Sequence, residues 1–200
     1  MPSWHIILTI THLFGLALGA GGAFASDWIF LLSAHDSHIS RTETRFLSLG
    51  SKLVWTGVAI LALSGLGLFL LDPTRLLASP KFLAKMSVVL IIILNGISFH
   101  FLHLPRIRRH AGEHFPSSDE FMRYRFALVA SGAISFVSWS SALILGAWRS
   151  VPFSYSQIML VYLAVLVLGI FVSYLARKKL VPDEWVFRPK ISPLVLPKYG

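Results

Sequence analysis

Five stretches of this chain are each long and apolar enough to cross a lipid bilayer, and no other feature constrains the fold as strongly. They cover residues 4–32, 46–71, 82–104, 126–148 and 154–175. A spanning helix needs about 20 mainly apolar residues, because each residue advances only about 1.5 Å through the hydrocarbon core. None of the five alternates apolar and polar residues with period two, so a transmembrane barrel is not expected. Backbone inside lipid must satisfy its own hydrogen bonds. The expected fold is therefore all-α: a polytopic membrane helical bundle over residues 1–176, followed by a tail over residues 177–200. Trp4, Trp28, Trp148, Tyr155 and Tyr174 fall near the span ends, where aromatic belts sit.

Composition agrees and removes other classes. The 200 residues are 55% hydrophobic and 14% charged, and the mean hydropathy is +0.70. Soluble domains carry about 25% charged residues, and disordered chains cannot be this apolar. With no cysteine, disulfide frameworks, thiolate-bound zinc, iron–sulfur clusters and thiol catalysis are excluded.

The formal charge of +9 is mostly a matter of topology. The loop after the first span carries Arg41 and Arg45, and the loop after the third carries Arg106, Arg108, Arg109, Arg123 and Arg125. The tail carries Arg177, Lys178, Lys179, Arg188, Lys190 and Lys198. These 13 lie on one side, against Arg75, Lys81 and Arg149 on the other. The bias predicts an outside N-terminus and a cytoplasmic C-terminus in a bacterial-type inner membrane. Membrane lipid is then the partner of the basic residues, and nucleic acid is not. Ala23-Phe24-Ala25 resembles a signal-peptidase site. However, no Lys or Arg precedes the apolar run and apolar sequence resumes at Trp28, so the first span is read as retained. Pro182, Pro189, Pro193 and Pro197 prevent a long helix in the tail, which is expected to be an extended cytoplasmic segment.

Ionisable residues within a span cost about 3 kcal/mol each on insertion scales and are functional candidates. The first span holds His12 and Asp27, the second Lys52, and the third Lys85, His100 and His103; the fourth and fifth hold none. His12 and Asp27 are fifteen residues apart, as are Lys85 and His100. Each pair is therefore about 22 Å apart along its helix and about 60° around it. Spans one and three run in the same direction, so they can present two matched polar layers. His12 and Lys85 would share one layer, Asp27 and His100 the other, with Lys52 as the counter-ion of Asp27. Asn95 would join the polar path between layers. His5 and His103 lie near interfaces, where an imidazole can simply be hydrated. His110, Glu113 and His114 are read as a solvated part of an Arg-rich loop. Gly15, Gly19, Gly21 and Gly22 beside His12 admit close approach, either by another helix or by a bulky cofactor.

Histidine in a membrane bundle, without cysteine or a carboxylate cluster, suits haem iron. A neighbouring cation can then pair with a propionate of the tetrapyrrole. Ile10-Thr11-His12-Leu13-Phe14-Gly15, together with Lys85-Met86-Ser87-Val88-Val89-Leu90 leading to His100, resembles the HemJ-type membrane protoporphyrinogen IX oxidases. It is also distantly similar to CopD-like membrane proteins. The resemblance covers residues 6–110 and implies haem b, with His12 and Lys85 as the essential catalytic pair and His100 as a second candidate axial ligand. It also implies a porphyrin substrate or a redox partner such as a quinone, and it admits a homo-oligomer. Asp27 and the fifth span go beyond that family's pattern.

Three functions are expected on these grounds. The first is a haem-b protein with electron-transfer or porphyrin-oxidising activity. The second is a transporter or channel for protons or a metal ion along His12, Lys85, Asn95, Asp27 and His100. The third is an accessory subunit whose polar groups only join helices, for which Ser131, Ser135 and Ser138 on the fourth span supply a small polar face.

Overall fold

The computed structural model describes residues 2–35, 39–112, 119–148 and 151–180, and these contain helices and connections but no strand. The elements are α1 (Pro2–His35), α2 (Arg41–Leu71), α3 (Pro73–Leu77), α4 (Pro80–Ser98), a π-helical turn (Phe99–His103), α5 (Leu104–Arg109), α6 (Asp119–Ala147) and α7 (Tyr155–Leu180). Five helices are long and apolar enough to cross a membrane: Trp4–Ser33, Arg41–Leu71, Pro80–Arg109, Arg123–Ala147 and Tyr155–Ala176. This is the expected multi-pass bundle, and the span boundaries move for local reasons.

The second span starts at Arg41, not at residue 46, because Ser40 and Glu43 form a reciprocal capping box. Glu43 N donates to Ser40 Oγ (3.1 Å) and Ser40 N to Glu43 Oε2 (2.6 Å). Arg41 and Arg45, expected in a loop, are thus helical. The third span continues past Pro105 to Arg109. Proline has no N–H to bond the carbonyl four residues earlier. The helix accommodates this by widening just ahead of it, where Leu104 N bonds Phe99 O, five residues back. The last helix reaches Leu180, beyond the expected boundary at residue 177; residues 181–200 lie outside the described residues, as do Glu113 and His114.

The bundle is organised around α1 and α2, which pack antiparallel with almost nothing between them. A Cβ placed on Gly57 would lie 2.5 Å from Gly19 N and 2.7 Å from Gly15 O. A Cβ on Gly22 would lie 3.2 Å from Gly50 O, and one on Gly67 would be 2.8 Å from a Leu8 methyl. The glycine face of α1 is therefore filled by the α2 backbone, with Trp139 of α6 pressed onto Gly19, and it is not open to a cofactor. Gly21, on the other side of the helix, has nothing within 4 Å. Without a hydrophobic drive between helices in lipid, such close contact is a main source of association.

Leu16, Ala20 and Ala23 of α1, Ala84, Val88 and Ile92 of α4, and Trp139, Ala142 and Leu145 of α6 form the central core. Hydrogen bonds tie the remaining helices. Asn95 Nδ2 donates to Ser131 O (3.1 Å) and Ser131 Oγ returns a bond to Asn95 Oδ1 (2.9 Å), joining α4 to α6. Ser138 and Tyr162 hydroxyls meet at 2.9 Å between α6 and α7. Large apolar side chains such as Leu63 (73% exposed) and Leu160 (70%) point outward, as a lipid-facing surface requires.

Candidate functional site

The α1–α2 register brings His12 to Ser64 and Gly65. His12 Nδ1 lies 3.0 Å from Ser64 Oγ, and Ser64 Oγ donates its hydrogen to Ile60 O at 2.6 Å. With that hydrogen in use, Ser64 can only accept from the ring, so Nδ1 carries the imidazole proton; this tautomer is assigned from the network. Nε2 is left with its lone pair. Lys85 Nζ of α4 lies 3.5 Å from it. A Cβ on Gly65 would be 3.3 Å from His12 Cε1, so the ring rests in a notch that glycine leaves in α2. Among the described residues no carboxylate contacts Lys85, which lies near Gly146 on α6 and close enough to Lys81, one turn earlier on α4, to feel its charge. His12 and Lys85 are thus brought together on facing helices.

The second layer forms around Asp27. A cavity of about 50 Å³ is lined by Asp27 and Ser26 of α1, Ser51 of α2, Asn95 of α4 and Ser131 and Ser135 of α6. The Ser135 hydroxyl reaches the Asp27 carboxyl, while Asp27 Oδ2 is buried without any hydrogen-bond partner. His100 Nδ1 lies 2.9 Å from Ser51 Oγ on the cavity wall, with Trp55 edge-on to its ring at 6.5 Å. Asn95 is the α4 member of this layer.

Lys52 does not pair with Asp27. Ser26 packs onto Gly50, which sets Asp27 level with the start of that turn. Ser51 faces the cavity, and Lys52, about 100° further round the helix, is exposed on the outer surface. His103, expected to be hydrated near an interface, is only 4% exposed, and its Nδ1 has no partner. The π-helical turn causes this, since an extra residue in one turn rotates the next residues toward the bundle. His5 is exposed, in keeping with an interfacial position.

The two layers are well separated. His12 and His100 bond α2 serines thirteen residues apart, which is about 20 Å of helix rise. One iron cannot hold both. Among the described residues no group of three or more His, Cys, Asp or Glu is placed to hold a metal ion. A larger apolar groove of about 710 Å³ between α1, α6 and α7 is lined by Asp27, Trp28, Phe136 and Val165 among others, and neither His12 nor His100 lines it.

Ser64, Ser51 and Trp139 were not legible as site residues. Their only signal is a small polar or bulky side chain in an apolar helix, and their roles depend on which turn of a neighbour they meet. Compared with protein-family models, with curated proteins and with solved structures, the chain matches none.

Proposed function

We propose that this chain is an integral membrane haem-b protein with electron-transfer or porphyrin-oxidising activity, of the kind its resemblance to the HemJ-type oxidases implies. The observation that supports this reading is the His12 ring, anchored through Nδ1–H on Ser64 with Nε2 left as a lone-pair donor beside a lysine. A histidine holding haem iron would need such an arrangement: a neutral imidazole whose second nitrogen is fixed by a hydrogen bond. Haem, when bound, supplies one-electron chemistry at the iron. His12 would hold the iron through Nε2, and Ser64 would keep the ring in the required tautomer. Lys85, which has no carboxylate partner among the described residues, would bind a carboxylate of haem or of a porphyrin substrate. A membrane quinone or other redox partner would exchange electrons with the site.

The test is the absorption spectrum of the protein purified from haem-replete cells, oxidised and dithionite-reduced. A Soret band that His12→Ala abolishes is expected. A colourless wild-type protein, or colour that survives His12→Ala and disappears with His100→Ala, would overturn the assignment. Rescue of growth in cells lacking protoporphyrinogen oxidase separates the oxidase from a plain electron carrier.

The same reading puts the N-terminus outside a bacterial-type inner membrane and the basic C-terminal end in the cytoplasm, from the distribution of Lys and Arg. A fluorescent protein fused after Gly200 is then expected to glow, and alkaline phosphatase fused there to stay inactive. The reverse pattern would invert the topology.

A further inference from the structure

We propose that the cavity at Asp27 is a sodium-binding site, with the Asp27 carboxylate as its charged ligand and neutral side-chain oxygens of Ser26, Ser51, Asn95 and Ser131 completing it. This goes beyond the haem reading and does not depend on it.

The Asp27 carboxyl is deeply buried along a spanning helix, and its Oδ2 has no partner. Among the described residues no cation reaches it, since Lys52 points outward. A carboxyl in such a place is neutralised, either by a proton or by a cation close at hand. The cavity wall is suited to accept a cation from solution, because the Ser26 and Ser131 hydroxyl hydrogens are used elsewhere, while Ser135 bonds the carboxyl itself. Ser26 Oγ donates to Gly22 O (2.7 Å) and Ser131 Oγ to Asn95 Oδ1 (2.9 Å), so both present oxygen lone pairs to the cavity. The Asn95 amide also donates away, to Ser131 O (3.1 Å). Ser51 Oγ, bonded to His100 Nδ1, adds a further oxygen from a third helix. These oxygens and the one carboxyl group stand together in a wall that is otherwise apolar, built from Ala23, Val54, Trp55, Ile92, Phe99 and Trp139.

That chemistry selects the ion. All the ligands are hard oxygens, and no histidine lines the cavity, which disfavours transition metals. A single carboxylate neutralises a monovalent ion, whereas a divalent one would leave an uncompensated charge in low dielectric. The volume of about 50 Å³ holds an ion with two or three waters, at roughly 10–15 Å³ for each occupant. The walls resist expansion to a larger ion. The Gly15–Gly57–Gly19 contact closes α1 on α2, and the Asn95–Ser131 bonds tie α4 to α6.

The full chain in lipid nanodiscs is titrated with NaCl against KCl and choline chloride at constant ionic strength, with the thermal midpoint and the binding of radioactive ²²Na⁺ as readouts. Sodium is expected to raise the midpoint saturably, and choline is not. Unlabelled Na⁺ is expected to displace ²²Na⁺ better than K⁺ does. Asp27→Asn is expected to lower sodium affinity by more than about tenfold, since the one charged ligand is gone. Ser131→Ala is expected to weaken it several-fold while leaving Asp27 in place. Identical midpoints in sodium and choline would overturn the proposal, and so would wild-type ²²Na⁺ binding by Asp27→Asn. A midpoint that tracks pH and ignores sodium would also overturn it, showing that Asp27 takes up only a proton. If Asp27→Asn does not fold, the wild-type comparison of sodium with choline and the Ser131→Ala shift decide the question.

Discussion

Gly57→Leu is expected to leave almost no correctly folded bundle, while Gly21→Ala is expected to change stability by less than about 1 kcal/mol. The two positions differ in what a side chain would meet. Any Cβ on Gly57 would lie 2.5 Å from Gly19 N and 2.7 Å from Gly15 O. Both are backbone atoms of a continuous helix and cannot rotate away as a side chain can. The helices must separate, and with them the contact that joins α1 to α2. Overpacking in ordinary cores costs about 1–3 kcal/mol, and rigid neighbours place this substitution at or above the top of that range. Gly21 has open space around it. The measurement is the monodisperse fraction by size-exclusion chromatography in mild detergent, before and after a thermal ramp. Gly57→Leu should aggregate and Gly21→Ala should elute like the wild type. A stable, monodisperse Gly57→Leu protein would show that α1 and α2 do not meet along this face.

If His12 holds haem as proposed, Ser64→Ala is expected to lower haem retention by about 10–100-fold, the usual cost of removing the group that orients a metal-bound histidine. Ser64 Oγ accepts from His12 Nδ1 only because its own hydrogen is used on Ile60 O. Removing the hydroxyl takes this acceptor from Nδ1–H and leaves the Leu61 backbone as the remaining hydrogen-bond partner of the ring on α2, which loosens its orientation. The protein itself should remain folded, because Ser64 contributes one hydrogen bond to α2 and little bulk. Haem content per protein, from the Soret absorbance against total protein, is the readout, with a haem titration of the apoprotein for affinity. Lys85→Met should weaken retention while keeping the Soret position of the histidine-bound form, and Lys85→Arg should restore part of the loss by returning the charge. Equal haem content in Ser64→Ala and the wild type would separate His12 from Ser64 functionally, even though the two groups are 3.0 Å apart.

The two substitutions are linked through one register. Gly57 lies two turns of α2 from Ser64, and the contact it permits sets which α2 residues face His12. A partly folded Gly57 variant would therefore lose any haem that His12 holds for a geometric reason, although Gly57 does not contact His12. Measuring haem content only in the monodisperse fraction keeps the two effects apart.

Much of this architecture was legible in the residues. The five spans needed only length and hydropathy, because lipid permits few backbone solutions. The pairing of His12 with Lys85 came from helix arithmetic, since two helices running the same way with matching fifteen-residue intervals can present groups at equal depth. Helix starts were less legible. The Ser40–Glu43 capping box was present in the residues, yet Arg41 and Arg45 drew the boundary inward because charge next to an apolar run resembles a loop.

By itself, the sequence determined the fold class, the number of spans and which span carries each ionisable group of the bundle, because hydropathy and helical rise act locally along the chain. Only the tertiary structure decided how the helices face one another. The rotation of α2 sent Lys52 outward and turned Ser51 toward Asp27. One π-helical turn buried His103. The glycines of α1 received the α2 backbone where a cofactor had been equally compatible with the spacing. Azimuth and register depend on which surfaces fit within an ångström of one another, and a single residue's shift turns a helix by about 100°. No local property of the chain carries that information.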